Sequence, residues 1–154
     1  RELGVTVVWD PAPALNMPTE AYRLSDVLTP NQVEAEFLTG VAVTDVSSAE
    51  VAADKLLEFG AKAVVVKLGE QGAFYAKLDS RGHVPSFDVE VQDTVAAGDA
   101  FAGAFGVGLS HGLSLEESVR YGCAAGALAV TRAGAQEAMP TRDEVEPLYR
   151  ASAR

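Results

Sequence analysis

The chain has 154 residues, the length of one ordinary domain, enough to bury most of its apolar surface. At 48% hydrophobic and 22% charged, with no biased tract, its composition is that of a soluble globular protein. A formal net charge of −10 argues against polyanionic partners, so neither nucleic acid nor an anionic membrane surface is expected.

In chain order, strands and helices alternate. "VTVVW" (5–9) is a short β-branched run closed by "DPAPA" and reads as a buried strand. "DVLTP" (26–30) is a second strand, ended by a proline. "NQVEAEFLTG" follows as a helix, with Asn31 as N-cap and Gly40 beyond its C-terminus. "SSAE" announces another helix, capped by Ser47 with Glu50 three residues on and stopping at Gly60. "AKAVVVKLG" (61–69) is the strongest strand pattern. "GAFYAKL" and "HVPSFDVEV" are expected to pair as a hairpin around "DSRG".

Two helices come next, one from about Ala100 to Ser110 and one from Ser114, with a capping box to Glu117, to about Arg132. "TRDE" (141–144) caps a short C-terminal helix. There is no internal repeat and no linker, so residues 1–154 read as part of one α/β domain. Right-handed crossovers imply a three-layer αβα arrangement around a largely parallel sheet, with the hairpin as an excursion. Ligands in such sheets bind beyond the C-terminal strand ends. No apolar run approaches a membrane span, and the N-terminus lacks a signal-peptide layout. The single cysteine, Cys123, cannot form an internal disulfide and fits a reducing cytoplasm. The opening "RELGVTVVWDP" lacks an initiator Met, and the chain is expected to be one cut from a longer one.

Three constellations carry chemistry. In "DTVAAGDAFAG" (93–103), Ala96, Ala97 and Gly98 are small enough for backbone N–H groups to converge on an anion at a helix N-terminus, with Asp99 at its lip. A plain helix cap explains the same residues. No Walker pattern is present, so this is not a P-loop enzyme. In "NQVE", Asn31 and Glu34 share a helix face and suit hydrated Mg²⁺, or else form a cap with a solvated acidic face. In "KLGEQG" (67–72), Lys67, Leu68, Gly69, Glu70, Gln71 and Gly72 end a strand in a glycine turn that lets backbone approach a ligand. An ordinary hairpin turn has the same look.

Taken together and in this order, "TPNQVEAEFLTG", "KLGEQGAF", "DTVAAGDAFAGAF" and "AVTRAGAQEAMP" resemble the ribokinase-like (PfkB) family of carbohydrate kinases, closest to its ribokinase branch, from about Val5 to Glu146. The resemblance implies that Asp99 is the catalytic base and that Ala96, Ala97 and Gly98 form the anion hole. It implies a Mg²⁺ and phosphate motif at Asn31 and Glu34, and a nucleotide loop at Lys67–Gly72. Cys123 falls in the region that would border the adenine, where a small buried residue is the plainer reading. A monovalent-cation (K⁺) site would take Asp93 and the carbonyls of Val95, Ala129, Arg132, Gly134 and Ala138.

The implied activity is ATP-dependent phosphorylation of a sugar, with ribose first and fructose, a keto-deoxy sugar acid or a nucleoside as family alternatives. Asp10, where the family element usually begins with Asn, weakens the ribose assignment. The glycine-rich sugar segment, the sugar contacts and the β lid of the family's N-terminal half are not visible here. A fragment of this kind is expected to be inactive alone and to associate with the missing half or with a second copy. A non-catalytic nucleotide- or cation-binding fragment, or an interaction module, is the competing reading.

Overall fold

Three short parallel strands lead into an antiparallel pair. In the computed structural model, which describes residues 4–151, β1 (Val8–Trp9), β2 (Val27–Leu28), β3 (Ala63–Lys67), β4 (Ala73–Lys77) and β5 (Ser80–Val84) form one sheet in the order β1-β2-β3-β4-β5. β1 pairs in parallel with β2, and β2 with β3, while β4 runs antiparallel to β3. The chain divides into two compact units, Arg1–His83 and Val84–Arg154.

The first unit holds nearly all of the sheet with α1 (Thr19–Leu24), α2 (Gln32–Thr39) and α3 (Val46–Glu58). Ala49, Ala52, Ala53 and Leu56 of α3 recur at helical spacing and are buried, which gives α3 an apolar stripe against β3 and β4. Val64 and Val66 of β3 and Phe74 and Ala76 of β4 fill the same core. Trp9 packs edge-on to Tyr22 at 5.5 Å, and Tyr22 in turn to Phe59 at 5.4 Å.

Several expected boundaries shift. Only Val8 and Trp9 of the run 5–9 enter the ladder, because Val7 is where pairing begins: its carbonyl accepts from the N–H groups of Asp26 and Val27. α1 has only six residues, too few for a periodic signal. Asp45, not Ser47, caps α3; its carboxylate accepts from the Ser48 N–H, and Ser48 Oγ accepts from the Asp45 N–H. Glu50 is thereby free to pair with Arg81 at 3.0 Å. The hairpin turns at Leu78–Asp79, so Ser80, Arg81 and Gly82 of the expected turn lie in β5, and 85–91 lie outside any strand.

The second unit contains α4 (Ala97–Ser110), α5 (Leu115–Ala129) and α6 (Arg142–Ala151). α5 ends at Ala129 rather than near Arg132, because the N–H groups of Thr131 and Arg132 turn back to the carbonyls of Leu128 and Ala129. The capping box of Ser114 with Glu117 forms as expected. α4 and α5 touch closely along a seam of glycines. A Cβ on Gly122 would lie 2.9 Å from two ring carbons of Phe101 and 3.1 Å from its carbonyl oxygen; one on Gly126 would lie 3.3 Å from the Ala97 carbonyl. Phe101 is itself buried and stacked on Phe105. Gly122→Ala should therefore destabilise the protein by about 1–3 kcal/mol through overpacking. It should read as a lower denaturant midpoint with an unchanged slope. An unchanged midpoint would mean that the seam yields without cost.

Candidate functional site

Within the first unit, parallel pairing brings the C-terminal ends of β1, β2 and β3 side by side. Thr29 donates to the Trp9 carbonyl at 2.9 Å and Lys67 to the Pro30 carbonyl at 2.8 Å, and Asn31 bridges Lys67 in parallel. Asp10, Asn31 and Lys67 thus leave the sheet at one edge. Asn31 and Glu34 form a reciprocal capping box: Asn31 Oδ1 accepts from the Glu34 N–H at 2.9 Å, and Glu34 Oε2 accepts from the Asn31 N–H at 2.7 Å. Glu34 is 7% exposed, and its second oxygen has no partner among the described residues. The pair therefore serves as the cap and still keeps one carboxylate oxygen in reserve.

No group of three or more His, Cys, Asp or Glu that could cage a metal occurs among the described residues. One buried carboxylate beside an amide suits a hydrated Mg²⁺ that brings most of its own ligands as water and phosphate. Lys67 Nζ lies 2.8 and 2.9 Å from the two carboxylate oxygens of Asp10. After Lys67 the chain makes a tight 3-10 turn over Gly69–Gln71, closed by Leu68 N–H to the Gly72 carbonyl and Gly72 N–H to the Gly69 carbonyl. Gly69 (φ +59°) and Gly72 (φ +89°) take backbone angles that a side chain disfavours. Leu68 is buried, whereas Glu70 and Gln71 are exposed. Gln71 is tied down twice, by its Nε2 donating to the Thr44 carbonyl and by His83 Nε2 at 2.6 Å from its carbonyl oxygen.

In the second unit, α4 starts three residues earlier than expected. Ala96 is its N-cap and makes no side-chain cap, so Asp99 is not the cap but a first-turn residue. The Ala97 N–H donates to the Thr94 carbonyl at 3.2 Å, while the N–H groups of Gly98 and Asp99 meet no carbonyl among the described residues. Those two are orphan donors of a helix N-terminus, where the macrodipole favours an anion. Ala96 is buried, and Asp99 is exposed with no hydrogen bond or ion pair among the described residues.

Asp93 ties this turn to the loop after α5. Its Oδ1 accepts from the Val95 N–H at 3.1 Å and its Oδ2 from the Gly134 N–H at 3.0 Å. These bonds, Gly134's first, hold its carboxyl below the usual range. The Ala129 carbonyl already accepts from the Arg132 N–H at 3.2 Å. Ala138 is buried at the end of an otherwise exposed 3-10 turn, Gln136–Ala138, that sequence patterning did not reveal. A carboxylate and main-chain carbonyls are oxygen donors throughout, which fits a K⁺ ion. Cys123 is buried in α5, and burial pushes its thiol up to about 12.

Three contacts at these sites were invisible in the sequence. Asp10 meets Lys67 across 57 positions, His83 meets Gln71 across 12, and the Arg132 guanidinium meets Glu144 across 12. Arg132, and after it the Thr141 N–H and hydroxyl, hold the Glu144 carboxyl down at about 2. Its contribution to stability is whole above its ordinary value of 4.5 and fades as pH falls from there toward 2. Only the Thr141–Glu144 half of that network, a cap at i,i+3 spacing, could be read in advance.

Known proteins align with this arrangement. Residues 1–142 match the pfkB family carbohydrate kinases. The ribokinase of Haemophilus influenzae is 43% identical over 144 residues, which is 94% of this chain and 47% of that protein. Arabidopsis thaliana ribokinase, solved with ribose and ATP, superposes with a TM-score of 0.86 at 33% identity, covering 96% of this chain and 48% of that one. Phosphofructokinase-2 of Escherichia coli, solved with potassium, superposes with a TM-score of 0.84 at 31% identity, covering 99% and 49%. The mixed, mostly parallel sheet with its helices is the fold of these neighbours. The chain spans about half the length of the curated relatives it matches. With 142 of its 154 residues inside the match, the chain belongs to the pfkB family of carbohydrate kinases.

Proposed function

We propose that this chain is the nucleotide-side half of an ATP-dependent sugar kinase that phosphorylates a sugar hydroxyl, with ribose as the sugar. The observation that carries the reading is the first turn of α4, where an exposed, unpartnered Asp99 carboxylate stands beside the unengaged N–H groups of Gly98 and Asp99. In this reading Asp99 accepts the proton of the sugar hydroxyl, whose oxygen attacks the γ-phosphorus as the bond to the β-phosphate oxygen breaks. The free N–H groups face the γ-phosphoryl oxygens as charge spreads over them. Lys67–Gly72 line the nucleotide. Asn31 and Glu34 would hold Mg²⁺, partly through water, and the ion's chemistry there would be to neutralise phosphate charge. Asp93, with carbonyls of Val95, Arg132 and Gly134, would hold K⁺. The Ala129 carbonyl, already engaged, is the weaker ligand. Ribose as the sugar rests on the ribokinases among the relatives, and Asp10 departs from the Asn expected there.

β1 ends the sheet order, and its outer edge has no strand partner among the described residues. An open edge of this kind invites pairing. The 154-residue chain alone is expected to bind Mg·ADP weakly by calorimetry and to release no ADP in response to ribose. Light scattering should show self-association, or association with a supplied N-terminal half of a relative. Ribose-dependent turnover by these residues alone would overturn the half-enzyme reading, and absent nucleotide binding would overturn the kinase reading.

A further inference from the structure

The ion pair between Asp10 and Lys67 is well withdrawn from water. Its side chains are 25% and 13% exposed, whereas Lys62–Asp26, Lys77–Asp79, Arg81–Glu50, Arg81–Asp54, Arg132–Glu144, Arg142–Glu146 and Arg150–Glu146 each have a partner 38% exposed or more. Both carboxylate oxygens of Asp10 hold the one ammonium. The main chain of Lys67 is pinned as well, through its N–H to the Pro30 carbonyl and its bridge to Asn31. One residue thus joins the segments that follow β1 and β2 to the end of β3. Beyond Lys67 lies the Gly69–Gln71 turn with Gly72 as its C-cap, and these two glycines resist deformation only as far as their anchors do. A charge pair withdrawn from water gives little net stability, and losing one partner strands the other. Such a pair is better explained by what it orients than by what it stabilises.

Resting on the kinase reading above, we propose that Asp10 is a positioning residue for the nucleotide loop. By clamping Lys67 it fixes the angle at which the backbone of residues 67–72 meets the nucleotide, and it does so without touching the ligand. The Lys67 charge is spent on Asp10 and not on phosphate.

The test is a double-mutant cycle in the complete protein carrying this sequence, with Asp10→Asn, Lys67→Met and both together. Readouts are ADP affinity by calorimetry, KM for ATP, KM for the sugar, and the thermal midpoint. Misplacing the loop should raise KM for ATP and the ADP Kd roughly 10- to 100-fold in either single variant. KM for the sugar should stay put, and the double variant should lose no more than the worse single. If a single variant fails to fold, the double variant, which strands no charge, still supplies the ATP and ADP readouts against the unmodified protein. A lower thermal midpoint with unchanged ATP and ADP constants would overturn the proposal and leave a purely structural pair. Tighter ADP binding in Asp10→Asn would also overturn it, by showing that Asp10 competes with phosphate for Lys67. No ADP binding by the unmodified protein would sink the kinase reading itself, and this proposal with it.

Discussion

Replacing Asp99 with Asn in the complete protein should lower turnover by about 10²–10⁴-fold while leaving nucleotide affinity nearly unchanged. The selectivity follows from its surroundings. Asp99 is exposed, lies in the first turn of α4, and caps nothing, since Ala96 is the N-cap and carries no side-chain bond. An isosteric amide there should cost the helix little beyond a modest dipole interaction. The N–H groups of Gly98 and Asp99 belong to the backbone and stay where they are. What disappears is the proton acceptor. Steady-state kinetics at saturating ATP and sugar, beside ADP calorimetry, separate the two effects. Turnover within a fewfold of the unmodified protein would return Asp99 to the role of a solvated first-turn acid.

Asp93→Asn should abolish activation by K⁺ and lower activity ~10–100-fold, the scale of removing an orienting group at a metal site. Both carboxylate oxygens of Asp93 accept backbone N–H bonds, from Val95 and Gly134. A carboxamide has one acceptor oxygen, so one of those donors would face an NH₂ group. The turn before α4 and the loop after α5, joined through this side chain, would then come apart at the residues expected to surround the cation. The measurement compares rates in K⁺ with rates in a bulky organic cation at constant ionic strength. Thermal midpoints in both salts give a second readout that needs no catalysis. The unmodified protein should be faster and more stable in K⁺, and the variant indifferent. Equal rates and midpoints for the unmodified protein in both salts would remove the cation from the reading.

Local physics was legible in the residues themselves. The caps at Asn31, Ser114 and Thr141 are contacts across three positions, and each appears in the structure with its expected partner. β3 announced itself because four consecutive buried residues, Ala63–Val66, leave no polar face to confuse the period. The α/β class followed from the alternation of such elements. Where two local solutions competed, the residues could not choose: Asp45 and Ser47 are both good caps, and only the packing of Ala49, Ala52, Ala53 and Leu56 against the sheet selects the helix start that uses Asp45. The start of α4 is a similar case. Ala97 enters the helix because Ala96 and Ala100 are buried against α5, and that moves Asp99 from cap to first turn. The contacts between Asp10 and Lys67, and between Asp93 and Gly134, lie 57 and 41 positions apart. Residue type and short-range spacing hold no information about which distant charges or donors will meet. That is decided when parallel strands align their C-terminal ends and when packed helices bring a turn and a loop together.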